Sequence, residues 1–235
     1  MTPRISVVVP AYNEAPNLPP LVREVEDALL PLGKPWELVV VDDGSTDESP
    51  GILAELQASH PALRVVRFAR NSGQSAAFLA GFEAARGDVV VTLDGDLQNN
   101  PADIPELLRR LEGQDAVLGV RRRRRDPGLR RLSSRVANAV RRGVTGDGLT
   151  DVGCSLKAFR REALGDLPRF NGVHRFFGTL LVWKGCRVAE VPVDHRPRRA
   201  GEAKYNVRNR AFRTLLDLLA MCWLRSRWVR YEIER

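Results

Sequence analysis

The chain has 235 residues, 43% hydrophobic and 28% charged, a balance that fits one folded α/β unit and excludes a disordered chain. Its formal charge of +8 is unevenly spread. Residues 1–118 hold 9 Lys/Arg against 18 Asp/Glu, residues 119–146 hold 10 Arg against Asp126 alone, and residues 196–235 hold 11 basic against 4 acidic residues; this layout suits an anionic partner such as nucleic acid, a membrane surface or a phosphorylated substrate.

Four compact apolar runs, Ile5–Val9, Leu38–Val41, Leu63–Phe68 and Val89–Leu93, predict strands buried on both faces. Between them Leu18–Leu30, Pro50–Ala58 and Ser75–Ala85 predict helices, and Pro105 opens another before Glu106, Leu107, Leu108 and Leu111, at an early position that tolerates proline. Alternation of strand and helix predicts a mostly parallel sheet flanked by crossover helices. Residues 129–142 predict an Arg-rich amphipathic helix with Leu132, Val136, Ala139 and Val140 on one side. A strand near Ser155–Phe159, a helix near Phe176–Trp183 and a strand at Val188–Val193 follow. The last predicted helix is Asn209–Trp228. Its stripe of Phe212, Leu215, Leu216, Leu219 and Trp223 suits packing on its own domain or lying in a membrane interface; the two are not exclusive. No uncharged apolar run approaches the roughly 18–20 residues needed to cross a bilayer, and the first residues do not read as a signal peptide. The chain therefore reads as cytosolic, without an anchor of its own. Cys154, Cys186 and Cys222 are too few and too scattered for a disulfide or zinc framework.

Three polar clusters fall at predicted strand ends: Pro10-Ala-Tyr-Asn-Glu14, Asp42-Asp-Gly-Ser-Thr-Asp47 and Asp94-Gly-Asp-Leu-Gln98. Ligands of open parallel sheets bind outside the carboxyl ends of the strands, so the clusters are expected to converge. Asp47 or Ser49 alone would read as a helix cap; the conjunction does not. In Asp94-Gly95-Asp96, two carboxylates can share a hard divalent cation, Mg2+ or Mn2+, that also binds phosphate oxygens. His60, His174 and His195 lack metal-ligand spacing and read as structural.

The motifs above, with Asn71-Ser-Gly…Ala77…Gly81…Ala85-x-Gly87-Asp88, Asp151-Val-Gly-Cys-Ser-Leu-Lys-Ala-Phe-Arg160 and Glu190-Val-Pro-Val…Arg199-Ala-Gly-Glu-Ala-Lys-Tyr-Asn206, resemble family 2 glycosyltransferases. Within them they resemble the dolichol-phosphate mannosyltransferase and polyprenyl-phosphate glycosyltransferase branch, in a short form. The resemblance implies a GT-A (Rossmann-like) domain over residues 1–208, with an acceptor loop or helix at about 119–146. A C-terminal amphipathic helix and tail would occupy residues 209–235. It implies that Pro10, Ala11, Tyr12, Glu14 and Asp43 line the nucleotide pocket. Asp94, Asp96 and Gln98 would surround the metal. Arg121 and Arg135 would hold the acceptor phosphate, and Ser155, Arg199 and Lys204 would face donor and acceptor phosphates. Ala203 stands where the family often has Ser, and Asn99-Asn100-Pro101 where it often has His-Pro-Pro. Neither change removes a charge. No QxxRW motif is present, although Arg227-Trp228 echoes its tail, which speaks against a processive synthase.

The implied partners are a GDP- or UDP-linked sugar, a polyprenyl phosphate, the cytoplasmic membrane surface and a small integral membrane protein. A phosphate acceptor fits the residues independently. No dedicated carboxylate base follows the Asp94–Gln98 cluster, and a phosphate monoester with a second pKa of about 6 needs none at neutral pH. It needs cationic forks, which arginine supplies. Two rival readings remain from sequence. One is a hydroxyl acceptor. The other is nucleic-acid binding, which residues 119–146 support poorly because they contain no Phe, Tyr or Trp for base stacking.

Overall fold

The computed structural model describes residues 4–121, 141–197 and 207–229, with the backbone alone over 207–215. Seven strands form one sheet: β1 Ile5–Ala11, β2 Trp36–Asp42, β3 Leu63–Arg67, β4 Val89–Thr92, β5 Ala116–Arg121, β6 Lys157–Arg160 and β7 Val188–Val193. Their spatial order is β3-β2-β1-β4-β6-β5-β7. The β3-β2-β1-β4 half is parallel, β6 runs antiparallel to both β4 and β5, and β7 is parallel to β5. The mostly parallel mixed sheet expected from the alternating pattern is present.

The sheet is covered on both faces. On one, helices α1 Leu18–Leu29, α2 Ser49–Ser59 and α4 Ile104–Arg110 meet Val7, Val9, Leu38, Val40, Val91 and Leu93. On the other, α3 Gln74–Ala84 and α5 Phe177–Trp183 meet Val8, Val39, Val41, Val90 and Phe159. Alternate residues of one strand therefore enter different cores, which explains why these strands read as continuous apolar runs. The C-terminal helix α6 is described over Val207–Ser226, overlapping the predicted Asn209–Trp228. Met221, with Leu224 and Trp228, packs into the second core, so this part of the helix is seated on the sheet domain.

Sequence reasoning missed β5. Gly119 in its interior and the arginine run after it read as a break, yet β5 lies between β6 and β7. Gly119 is there because a Cβ would fall 2.7 Å from the Leu156 carbonyl oxygen and 2.9 Å from Val193 Cγ2. Gly119→Ala should therefore cost about 1–3 kcal/mol through overpacking, read as a lowered urea midpoint at unchanged slope. An unchanged midpoint would mean that β5 yields freely. The predicted 129–142 helix falls outside the described residues except at Arg141 and Arg142, which are helical.

Candidate functional site

The ends of β1, β2 and β4 bring the three polar clusters to one sheet edge, and hydrogen bonds knit them together. Asn13, in the left-handed region at φ 51°, donates its backbone N–H to Ser45 Oγ (2.9 Å), and its Oδ1 accepts from Thr46 N (2.8 Å). Glu14 N donates to Ser49 Oγ, and Glu14 Oε2 accepts from Asn17 Nδ2. Asp47 accepts from Ser49 N at the start of α2 and from Ala15 N. Burial opposes its charge, but these bonds outweigh burial and hold its carboxyl below the usual range. Asp47 lies one position before the N-cap residue Glu48 and ties the first two clusters together through Ser49 N and Ala15 N.

Asp43 organises the next layer. Its carboxylate accepts from Ser72 N (2.6 Å), Gly73 N (2.9 Å) and Asn71 Nδ2 (3.0 Å). Burial, offset by the Ser72 and Gly73 bonds, leaves its pKa raised, with Asp42 adding repulsion. The loop it shapes ends at Gln74, the first residue of α3, whose Nε2 donates to Asp94 Oδ1 at 2.7 Å. On the other side Ser155 Oγ donates to Asp94 Oδ2 at 2.5 Å, and Asp94 N bonds Asn99 Oδ1. The antiparallel register that sets Thr92 opposite Lys157 delivers Ser155 to this place, reinforced by Thr92 Oγ1 donating to the Ser155 carbonyl.

Burial pushes the Asp94 carboxyl up, the Ser155 bond pulls it back, and Asp96 pushes it up again, to about 6. Asp96 is buried, with Oδ1 accepting from Gln98 N. Gln98 Nε2 faces the Arg196 carbonyl at 3.5 Å. The Asp94 and Asp96 carboxylates, close enough that Asp96 raises the Asp94 pKa, and the Gln98 amide are candidate oxygen donors. Among the described residues no three or more His, Cys, Asp and Glu side chains gather. That chemistry fits a hard cation that takes few protein ligands and keeps phosphate and water in its shell.

Arg121, the last residue of β5, also lies at this edge. Its Nε and Nη2 grip Asp151 Oδ2 and Oδ1, each at 2.7 Å. The fork expected for an acceptor phosphate is thus spent on a carboxylate, leaving Nη1 for another anion. Arg121 and Asp94 still feel each other's charge. Lys157 is buried close by, its Nζ donating to the Val152 and His174 carbonyls. Burial lowers its pKa, while Cys154, Asp94 and Asp151 favour its charge. Sequence reasoning did not select Gln74, Asp151 or Lys157, although all three lie in quoted motifs or directly beside one; nothing in one sequence shows that they turn toward Asp94 and Arg121. Pro10 and Ala11 end β1, and Tyr12 follows them at this edge. Arg135, Arg199 and Lys204 lie outside the described residues.

The three histidines make local contacts. His60 Nδ1 is 2.9 Å from the Leu56 carbonyl at the end of α2, and His174 Nδ1 is 2.7 Å from Ser75 Oγ. The His195 backbone bridges to Asn99.

Gln74→Ala and Ser155→Ala each remove one hydrogen bond that fixes Asp94. A bond to a charged group contributes about 1.5–3 kcal/mol, so each variant should lose roughly ten- to a hundredfold in turnover, measured as steady-state product formation. Full activity in both would show that Asp94 needs no such support.

Residues 6–167 match the family described as "Glycosyl transferase family 2". The chain is 37% identical over 218 residues to undecaprenyl-phosphate 4-deoxy-4-formamido-L-arabinose transferase of Salmonella typhimurium, covering 92% of this chain and 65% of the relative. It is 40% identical over 223 residues to dodecaprenyl-phosphate galacturonate synthase of Rhizobium johnstonii, covering 92% and 66%. The chain thus spans just under two thirds of these relatives' lengths. A solved mannosyltransferase from Pyrobaculum calidifontis, in complex with GDP-Man and Mn2+, superposes with a TM-score of 0.68 at 25% identity, covering 99% of this chain and 66% of that one.

Proposed function

The chain belongs to glycosyl transferase family 2, and from that premise we propose that it is a metal-dependent, inverting glycosyltransferase of GT-A fold that moves a sugar from a nucleotide-sugar to a polyprenyl phosphate. The observation that carries this reading is the pairing of charges at one sheet edge. Asp94 and Asp96 form an oxygen-donor site on the β4 side, and Arg121 ends β5 within electrostatic reach of Asp94. The names of the two relatives, an undecaprenyl-phosphate transferase and a dodecaprenyl-phosphate synthase, support the acceptor class. The Mn2+ of the mannosyltransferase complex supports the cation.

Mg2+ or Mn2+ held by Asp94, Asp96 and the Gln98 amide oxygen would supply charge neutralisation at the leaving diphosphate. The chain's own residues do the rest. Asp43 fixes residues 71–73, and with Pro10, Ala11, Tyr12 and Glu14 it forms the nucleotide side of the site. Gln74 and Ser155 hold Asp94 in one orientation. Arg121, braced by Asp151, presents its remaining donors to the acceptor phosphate, with Arg135, Arg199 and Lys204 as further phosphate-side cations. The dianionic acceptor needs orientation and charge screening rather than a base. Direct displacement turns an α-linked donor sugar into a β-linked lipid phosphosugar. The reaction would run at the cytoplasmic face of a membrane, where a soluble donor meets a lipid acceptor.

Release of nucleoside diphosphate tests the proposal. Across GDP- and UDP-sugars, one donor should give release that depends on polyprenyl phosphate and vanishes with chelator. Equal release with the corresponding polyprenol would favour a hydroxyl acceptor, and no acceptor-dependent release with any donor would overturn the reading.

A further inference from the structure

The turn that carries Asp94, Asp96 and Gln98 is strained at its centre. Leu97 stands at φ 61°, a left-handed conformation that a bulky L side chain rarely adopts. Its side chain is buried in the first core, and the chain reversal brings the Gln98 N–H onto Asp96 Oδ1. A backbone held in such a region persists only where its surroundings over-determine it. The leucine anchors one side of the turn. The other side is held from outside.

The holding contacts come from the chain that leaves β7. Asp194 N donates to Asp103 Oδ2 at 2.8 Å, the His195 backbone bridges to Asn99, and Arg196 N donates to the Gln98 carbonyl at 2.8 Å. Three consecutive residues thus fasten the stretch from Gln98 to Asp103. The Arg196 side chain then ties this junction to two further places. Its Nη2 donates to Asn100 Oδ1 at 2.6 Å, and its Nη1 donates to Glu24 Oε2 on α1 at 2.5 Å. The Arg196 and Glu24 side chains are 29% and 24% exposed, so solvent screens this pair less than a surface pair. Asn100 Oδ1 also accepts from Ala102 N and caps the 3-10 turn Pro101–Asp103. A proline at position 100 would offer Arg196 no side-chain acceptor. With both terminal nitrogens engaged inside the chain, Arg196 is built to brace rather than to bind phosphate.

We infer that Arg196, braced between Asn100 and Glu24, is a latch that holds the Asp94–Gln98 turn in its strained shape, and so a positioning residue of the transfer reaction. The inference rests on the cation reading above and adds to it. The three candidate donors converge only while the turn keeps this shape. A ligand of a state populated to a fraction f binds with an apparent affinity reduced by that fraction. Loosening the latch therefore weakens cation binding although every donor is still present, and turnover recovers once the cation saturates.

The test is a Mn2+ titration of the full chain and of Arg196→Met, Asn100→Ala and Glu24→Gln, with GDP and, separately, UDP present. Bound Mn2+ is read from the loss of the free-ion EPR signal, and turnover is measured over the same Mn2+ range. Losing a hydrogen bond to a charged group typically weakens an equilibrium about ten- to a hundredfold, so Arg196→Met should raise the half-saturating Mn2+ concentration at least about tenfold. Asn100→Ala and Glu24→Gln should shift it in the same direction by less. Arg196→Met/Glu24→Gln should bind no more weakly than Arg196→Met, because the shared contact is already gone. At saturating Mn2+ the latch variants should approach the wild-type rate, which Asp96→Asn should not. A merely structural role would lower the maximal rate in proportion to the unfolded fraction and leave the half-saturating concentration where it was. That result, or a rate that stays low at saturating Mn2+, would overturn the latch. If Arg196→Met does not fold, Asn100→Ala and Glu24→Gln decide by the same shift. Wild type that binds Mn2+ no more tightly than the three variants overturns the latch alone. Wild type that binds no Mn2+ with either nucleotide overturns the cation reading and the latch with it.

Discussion

Asp94→Asn and Asp96→Asn are each expected to reduce sugar transfer by about a hundred- to a thousandfold, the usual loss when an aligned electrostatic group is removed from a transition-state site. Both proteins should remain folded. Asp94 differs from Asp96 in a second respect. Its folded-state pKa, raised from 3.8 to about 6, means that ionising it at neutral pH works against the fold. The favourable contribution of the protonated form is complete below about pH 4 and is lost as pH rises through about 6. Asparagine cannot ionise and keeps the polar contacts available to an amide. In chelator, Asp94→Asn should therefore melt at or above the wild-type temperature at pH 7.5, and its advantage should shrink by pH 4.5. A variant that is inactive but clearly less stable at pH 7.5 would mean that Asp94 is a structural residue, and an active one would remove it from the site.

Asp147→Ala should be the most destabilising of the polar substitutions. Its carboxylate is fully buried and accepts from Arg141 Nη1 (2.6 Å), Thr179 Oγ1 (2.5 Å) and Leu149 N (3.0 Å). Removing it leaves a guanidinium that is itself 9% exposed without its counter-charge, at a cost of about 3–5 kcal/mol. The double variant Arg141→Met/Asp147→Leu removes both charges and should recover most of that loss. Urea unfolding of the wild type and the two variants decides the matter. A loss below about 1 kcal/mol in the single variant, or no recovery in the double, would show that the pair is not what holds this region. Asp147 and Asp151, four residues apart, grip Arg141 and Arg121, so one short loop clamps the two residues that flank positions 122–140.

The parallel half of the sheet and the convergence of its three polar clusters were legible because both follow from short-range rules. Doubly buried strands are continuously apolar, and ligand residues sit at their carboxyl ends. β5 was hidden because Gly119 answers a long-range demand, the approach of the Leu156 carbonyl, that resembles a turn signal when read locally. Gln74, Asp151 and Lys157 were hidden for a related reason. Their roles depend on β6 running antiparallel beside β4 and on Asp43 bending residues 71–73, and neither arrangement has a local signature. The two-sided character of α6 was half legible. Periodicity found its apolar stripe, but only the packing of Met221, Asp217 and Arg225 shows which side is covered.

If a phosphate oxygen of the acceptor is the nucleophile, the bond in the product records it. Polyprenyl phosphate and the donor sugar-nucleotide that supports turnover would be incubated with the protein, and the lipid product analysed by mass spectrometry and phosphorus NMR. The expected product is a sugar joined through its anomeric carbon to the lipid phosphate as a phosphodiester, with the anomeric configuration inverted from the donor, formed about a hundred- to a thousandfold more slowly by Asp94→Asn. A product whose phosphate is still a monoester, with the sugar on a hydroxyl group, or one that retains the donor configuration, would contradict this expectation.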